Sequence, residues 1–169
     1  MRYRSGRAGK MLALVVGLVA ALAAPATAAT DQIAGVAFYD PGGVCAPAPT
    51  GYADVAPIVM TGSLEGCWYT DIVTVHDNGS PSGVYQERGK EIFVAIVNHV
   101  AVGTFATTYK FSSKWDPNAS TGVEIHGRCE HPIVADSGTG VFAGVSGRLD
   151  FKDEVATGRF LYRGHLSFR

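Results

Sequence analysis

Hydrophobic and polar positions alternate along most of this chain. Between Gly103 and Trp115, the residues Phe105, Thr107, Tyr109, Phe111 and Trp115 fall on one side of an extended backbone; Thr104, Thr108, Lys110, Ser112 and Lys114 fall on the other. Val123 to His131 repeats the pattern, with Val123, Ile125 and Cys129 set against Glu124, His126, Arg128 and Glu130. Gly147 to Asp153 sets Leu149 and Phe151 against Arg148, Asp150 and Lys152. The last stretch sets Phe160, Tyr162, Leu166 and Phe168 against Arg159, Arg163, His165 and Ser167. A period of two is that of a strand with one face on a core and the other in water, as in antiparallel sheets. Turn-forming clusters separate the runs: Asp77-Asn78-Gly79-Ser80-Pro81, Asp116-Pro117-Asn118, Asp136-Ser137-Gly138 and Thr157-Gly158. Helical periodicity is nearly absent from Ile58 onwards. The pattern predicts an all-β domain over residues 58–169 with about eight strands. That count fits a small closed barrel as well as a sandwich.

The head of the chain reads differently. Arg2, Arg4, Arg7 and Lys10 precede an apolar run from Met11 to Leu22, and Ala26-Thr27-Ala28 supplies small residues for cleavage. This is the pattern of a secretory signal over residues 1–29, cut near Ala28 or Ala29. The run is too short for a bilayer core, which needs about 20 residues, and no later segment is apolar enough to span a membrane. Removing the signal takes four of the 14 basic residues and none of the 15 acidic ones, so the net charge moves from −1 to −5. An acidic surface repels phosphate backbones, which argues against nucleic acid as a partner. Residues 30–57 carry Pro41, Pro47, Pro49, Pro57, Gly42, Gly43 and Gly51. They read as an N-terminal arm, with a short strand near Ile33–Tyr39 as its only regular element. Export also places Cys45, Cys67 and Cys129 in an oxidising compartment. Cys67 and Cys129 both sit in strand-like runs, so the expected bridge is Cys67–Cys129, worth roughly 4 kcal/mol by loop closure. Cys45 is then the odd thiol, free or competing for either partner.

Glycine punctuates one stretch, Gly138-Thr139-Gly140-Val141-Phe142-Ala143-Gly144-Val145-Ser146-Gly147-Arg148-Leu149. It is not a phosphate-cradling G-x-G-x-x-G loop, because Ala143 occupies the third glycine's slot and a strand, not a helix, follows. The spacing predicts a tight, bulged corner between strands of a curved sheet, with the glycines in a structural role. The run G-T-G-x-F-x-G-x-x-G-x-L resembles the signature loop of plant allene oxide cyclases and dirigent proteins. The resemblance covers about 14 residues. It implies a calycin-type antiparallel barrel and so decides between barrel and sandwich. It also implies a cofactor-free cavity, steering an unsaturated fatty-acid epoxide in the cyclases and orienting phenolic intermediates among acids in dirigent proteins. Neither family's catalytic residues can be matched to positions here.

An eight-stranded barrel is just wide enough inside to be filled, or to hold one small ligand. If Cys129 points inward, so does His131; if Cys67 is its partner, period two turns Glu65 and Tyr69 inward as well. Tyr85 and Phe93 share a face with Glu87 and Glu91. The expected lining is therefore Tyr69, Tyr85, Phe93, Phe105, Tyr109, Trp115, Phe160 and Tyr162. Glu65, Glu91 and His131 are the candidate catalytic groups, since a desolvated carboxylate is a usable base beside an apolar substrate. A single bulge would reverse part of this assignment. Other chemistries lack their patterns. The histidines show no metal-ligand spacing beyond Glu124-x-His126, and there is no G-x-S-x-G elbow and no C-x-x-C. Asn78-Gly79-Ser80 and Asn118-Ala119-Ser120 are formal glycosylation sequons. The expected function is a secreted binding or structural module with a cavity for a small apolar molecule. The alternative is a cofactor-free isomerase, cyclase or dirigent-type protein.

Overall fold

The computed structural model describes residues 29–77, 83–116 and 123–169. The expected leader, save Ala29, and both sequons lie wholly or partly outside them. Nine strands form: β1 (Thr30–Tyr39), β2 (Ile58–Gly62), β3 (Gly66–Asp77), β4 (Val84–Val97), β5 (Val100–Trp115), β6 (Glu124–Pro132), β7 (Thr139–Gly140), β8 (Val145–Glu154) and β9 (Arg159–Phe168). Every ladder between them is antiparallel. Eight strands close into a barrel in the order β1-β2-β3-β4-β5-β6-β8-β9, with β9 returning to β1, and β7 lies outside against β5. Among the described residues there is no helix. Closure is what an alternating antiparallel chain gains by leaving no unpaired edge.

The β4–β5 hairpin turns on Asn98 and His99, both at positive φ (50° and 65°), between the paired residues Val97 and Val100. Two successive positive φ values give a turn whose twist matches the strands it joins. At the same end of the barrel, the glycine corner folds inward. Gly140 pairs with Gly103 of β5, Phe142 N–H bonds to Thr139 C=O at 3.0 Å, and Val145 N–H bonds to Phe142 C=O at 3.0 Å. This delivers Phe142 into the barrel against Phe105 (5.0 Å between centroids) and Phe93 (5.8 Å). With Ile33, Met60, Leu64, Val145, Leu149, Tyr162 and Leu166, these rings fill that half of the interior. Each fully buried aromatic or aliphatic side chain contributes about 1.5–3 kcal/mol, so this end holds the fold together.

Two expectations about the N-terminal side need correction. Residues 30–39 are not an arm; they form a barrel strand, running from Thr30 opposite Ser167 to Phe38 opposite Arg159 along β9. The proline- and glycine-rich segment that follows is a strap over the outside of β3. It is stitched down by Asp54, whose Oδ2 accepts from Ile72 N–H at 2.8 Å, and by Tyr69, whose hydroxyl donates to Ala46 C=O at 3.0 Å. Asp40 shapes its start by accepting from the N–H groups of Cys45, Gly42 and Val44. Those bonds, Cys45 first, hold its carboxyl below the usual range.

The disulfide is Cys45–Cys67, not Cys67–Cys129. Cys67 lies on the outer face of β3, where the strap delivers Cys45, while the Cys129 thiol is free on the inside. Two cysteines on opposite sides of a sheet cannot meet. Period two then inverts the inward set on β3: Cys67 and Tyr69 face out beneath the strap, and Trp68 and Thr70 face in. Glu65 precedes the strand and is exposed.

Candidate functional site

The other half of the barrel is hollow. A cavity of about 440 Å³ opens at the end formed by the β8–β9 turn and the start of β2. Its rim residues Tyr39, Val155 and Arg159 are exposed. Trp68 forms its floor, packing against Phe93 and Phe105 of the filled half and, at 5.5 Å, against Phe151. Tyr109, Phe111, Trp115 and Phe160 complete the aromatic wall.

Polar groups converge on this wall in three sets. Glu91 of β4 is 5% exposed and held by three neighbours. Thr70 donates to Oε1 and Thr107 to Oε2, each at 3.2 Å, and His131 Nε2 lies 3.1 Å from Oε2. A carboxylate can only accept here, so Nε2 carries the proton. The imidazole is 3% exposed and packed edge-on against Trp68 (5.3 Å) and Phe151 (4.5 Å). Its Nδ1 is buried without a hydrogen-bond partner, and in the neutral ring that atom is a bare acceptor. Glu87, two residues before Gly89 on the same face, takes the hydroxyls of Tyr85 and Tyr109 on its two oxygens. Burial first, then the bond to Glu87, raises the Tyr109 phenol well above its ordinary range, so it stays a donor.

The third set is Glu124 and Asp153, and strand alternation alone does not put Glu124 inside. In β6, His126 opposes Lys114 but Glu124 opposes Trp115, so Ile125 is an extra residue. It is ejected, 54% exposed, and Glu124 turns into the cavity. A β-bulge re-aims the side chains beside it in this way. Gly127 makes the space, since a Cβ there would collide with Asp153 Oδ2 and Glu124 Oε1. Burial, then the charge of Asp153 and a hydrogen bond shared with it, push Glu124 up to about 7. Burial raises Asp153 as well. Two carboxyls brought together partly out of water share a proton more readily than they both ionise.

Cys129 lies on the same wall, half-buried. Burial, followed by the fields of Glu91, Asp153 and Glu87, pushes its thiol well up, so it is a protonated wall group and a poor nucleophile.

Of the groups that the sequence nominated, Glu91, His131, Tyr109, Trp115 and Phe160 meet at the cavity. Tyr85 stands behind it, against Glu87 and Phe111. Phe93, Phe105 and Tyr162 belong to the filled half; the Tyr162 hydroxyl accepts from Leu64 N–H at 2.9 Å and donates to Thr61 C=O at 3.0 Å. Tyr69 is on the outside and Glu65 on the surface, for the reason given by the disulfide. Trp68, Glu124 and Asp153 were missed. Trp68 was displaced by the wrong face of β3 and Glu124 by the bulge. Asp153 simply continues the inward series Leu149, Phe151 of β8, and that period was its signal. No family model, curated protein or solved structure matches the chain.

Proposed function

We propose that this is an exported barrel that binds a small, mainly apolar molecule in the open half of its interior, without a resident cofactor. The observation that carries the reading is the hollow itself: aromatic walls with a few convergent polar groups, in a barrel whose other half is packed solid. A purely structural barrel of this size gains by filling both halves. Export rests on the leader pattern of residues 1–29, and the Cys45–Cys67 bridge suits an oxidising compartment. The glycine corner's resemblance to allene oxide cyclases and dirigent proteins agrees with a ligand inside. Titration with a neutral aromatic probe such as 2-naphthylmethanol, followed by quenching of Trp68 and Trp115, tests it. Binding is expected with a Kd on the order of micromolar to millimolar. Val155→Trp at the rim should weaken it about tenfold or more without moving the melting midpoint. Saturation that is unaffected by a blocked rim would place the probe elsewhere and overturn the reading.

A second reading, a cofactor-free isomerase, is favoured by one observation. Glu91 fixes the His131 ring with Nε2–H towards itself and leaves Nδ1 buried and unpartnered, on a residue that lines the cavity. A carboxylate that orients an imidazole and stabilises the imidazolium is what a general base needs. Deuterium uptake at the α-carbon of a bound aryl methyl ketone should then be faster with the wild type than with His131→Gln. Equal rates, at matched probe affinity, would dismiss catalysis by this pair.

A further inference from the structure

Resting on the reading of the hollow as a ligand site, we propose that its ligand is an organic cation. An amine or quaternary ammonium head would sit at Glu124 and Asp153, its apolar body against the aromatic wall.

The charge balance of the wall points this way. Glu87, Glu91, Glu124, Asp153 and Glu154 line the cavity, and Arg159, at the rim, is the sole lysine or arginine among the lining residues. Two of these acids already have their partners: Glu91 in Thr70, Thr107 and His131, and Glu87 in two tyrosine hydroxyls. Glu124 and Asp153 have each other. Among the described residues no ion pair joins a lysine or arginine to either, and Glu124 Oε1 is buried without a hydrogen-bond partner. A carboxylate brought inside by a bulge and seated over a glycine, yet left without a positive neighbour, is an expense to the fold that a bound cation removes.

The surroundings suit an organic cation better than a metal ion. Tyr39 and Phe160 meet edge-to-face at 5.2 Å beside the pair, and Phe111 and Trp115 lie on the same wall. Ring faces attract a desolvated ammonium. No group of three or more His, Cys, Asp or Glu side chains among the described residues could hold a metal. An anionic ligand would meet repulsion on every side but the rim. The independent observation is His131, 97% buried in the same cavity with Nδ1 unpartnered. A buried polar atom left without a partner costs the fold, and that cost sits in the same wall as the carboxyl pair.

Three probes sharing one naphthalene ring separate the possibilities: 2-naphthylmethyl-trimethylammonium, 2-naphthylmethanol and 2-naphthylacetate, titrated calorimetrically near about pH 8. The cation is expected to bind about tenfold or more tighter than the alcohol, and the acetate not measurably. In the double variant Glu124→Gln/Asp153→Asn, the cation should lose its advantage over the alcohol measured in the same variant. If that variant does not fold, acidifying the wild type to about pH 5.5 serves instead, since the quaternary ammonium keeps its charge while the pair takes up protons. The groups facing Glu124 are Asp153 from β8 and Tyr39 from β1, with Glu87 of β4 beyond Tyr39 and Arg159 at the rim, and the alcohol controls for their titration. The cation's advantage should shrink to about the alcohol's level. An alcohol that binds as tightly as the cation, or an advantage surviving both treatments, overturns the ligand class and leaves the cavity reading intact. Saturable binding of calcium with no binding of the ammonium overturns it too. Failure of all three probes removes the cavity reading with it.

Discussion

Glu124 and Asp153 meet above Gly127, in space that no Cβ occupies. Glu124 titrates near 4.5 in its ordinary surroundings and at about 7 here. The folded protein therefore binds more protons than the unfolded chain between those limits. Stability contributed by the protonated carboxyl is present in full below about 4.5 and lost as pH rises through about 7. Asp153 shifts in the same direction and reinforces the trend. The melting midpoint is thus expected to climb when the protein is taken from about pH 8 to about pH 5.5. Glu124→Gln should flatten that profile and be the more stable form at the alkaline end. Differential scanning calorimetry across the window decides it, and a wild-type midpoint that falls on acidification would mean that the pair is not strained. The sequence showed Glu124 only as one member of an outward-facing set. Nothing in residues 123–131 announces that Ile125 is surplus, because a bulge is decided by the partner strand's register rather than by the bulged residues themselves.

At the scale of elements, the glycine corner works as a plug. Phe142 is 7% exposed and packed on Phe93 and Phe105. Phe142→Ala should therefore cost about 3–5 kcal/mol, as for other buried aromatic truncations. Gly140 sits at φ 56°, and a Cβ there would stand 2.9 Å from Gly103 Cα and 3.0 Å from the Val102 carbonyl carbon. Gly140→Val should cost about 1–3 kcal/mol from backbone strain alone, with crowding in addition. Neither change lies near the hollow end, so binding of the neutral probe by the folded fraction should be unaffected. Chemical denaturation and the probe titration, run side by side, check both. A Gly140→Val protein that melts normally but no longer binds would make the corner a binding loop. The structural role of these glycines was legible in their spacing and in the alternating strand that starts straight after Gly147. The inward faces of β5, β8 and β9 were legible too, because each is a clean alternation. On β3 the alternation is blurred, since Cys67, Trp68, Tyr69 and Thr70 are all buried. Both faces are covered there, one by the barrel interior and one by the strap, so period two carries no sign of which is which.

For the molecule as a whole, about eight antiparallel strands were legible in the alternation, but their count left barrel and sandwich equally open, and the division into a solid half and a hollow half was not legible at all. That division depends on where Phe142 lands and how far Trp68 reaches, and both are products of three-dimensional closure. The first strand illustrates the same limit. Proline and glycine after Tyr39 made the whole of residues 30–57 look detachable, yet β1 lies between β2 and β9 and completes the ring. That placement bears on how the protein is made. The strand synthesised first waits for a neighbour synthesised last, with Thr30 finally opposite Ser167. Until β9 emerges the sheet keeps two open edges, and β1 can find only β2. Ring closure therefore waits for the last strand, and a chain cut before Arg159 is left with an open sheet.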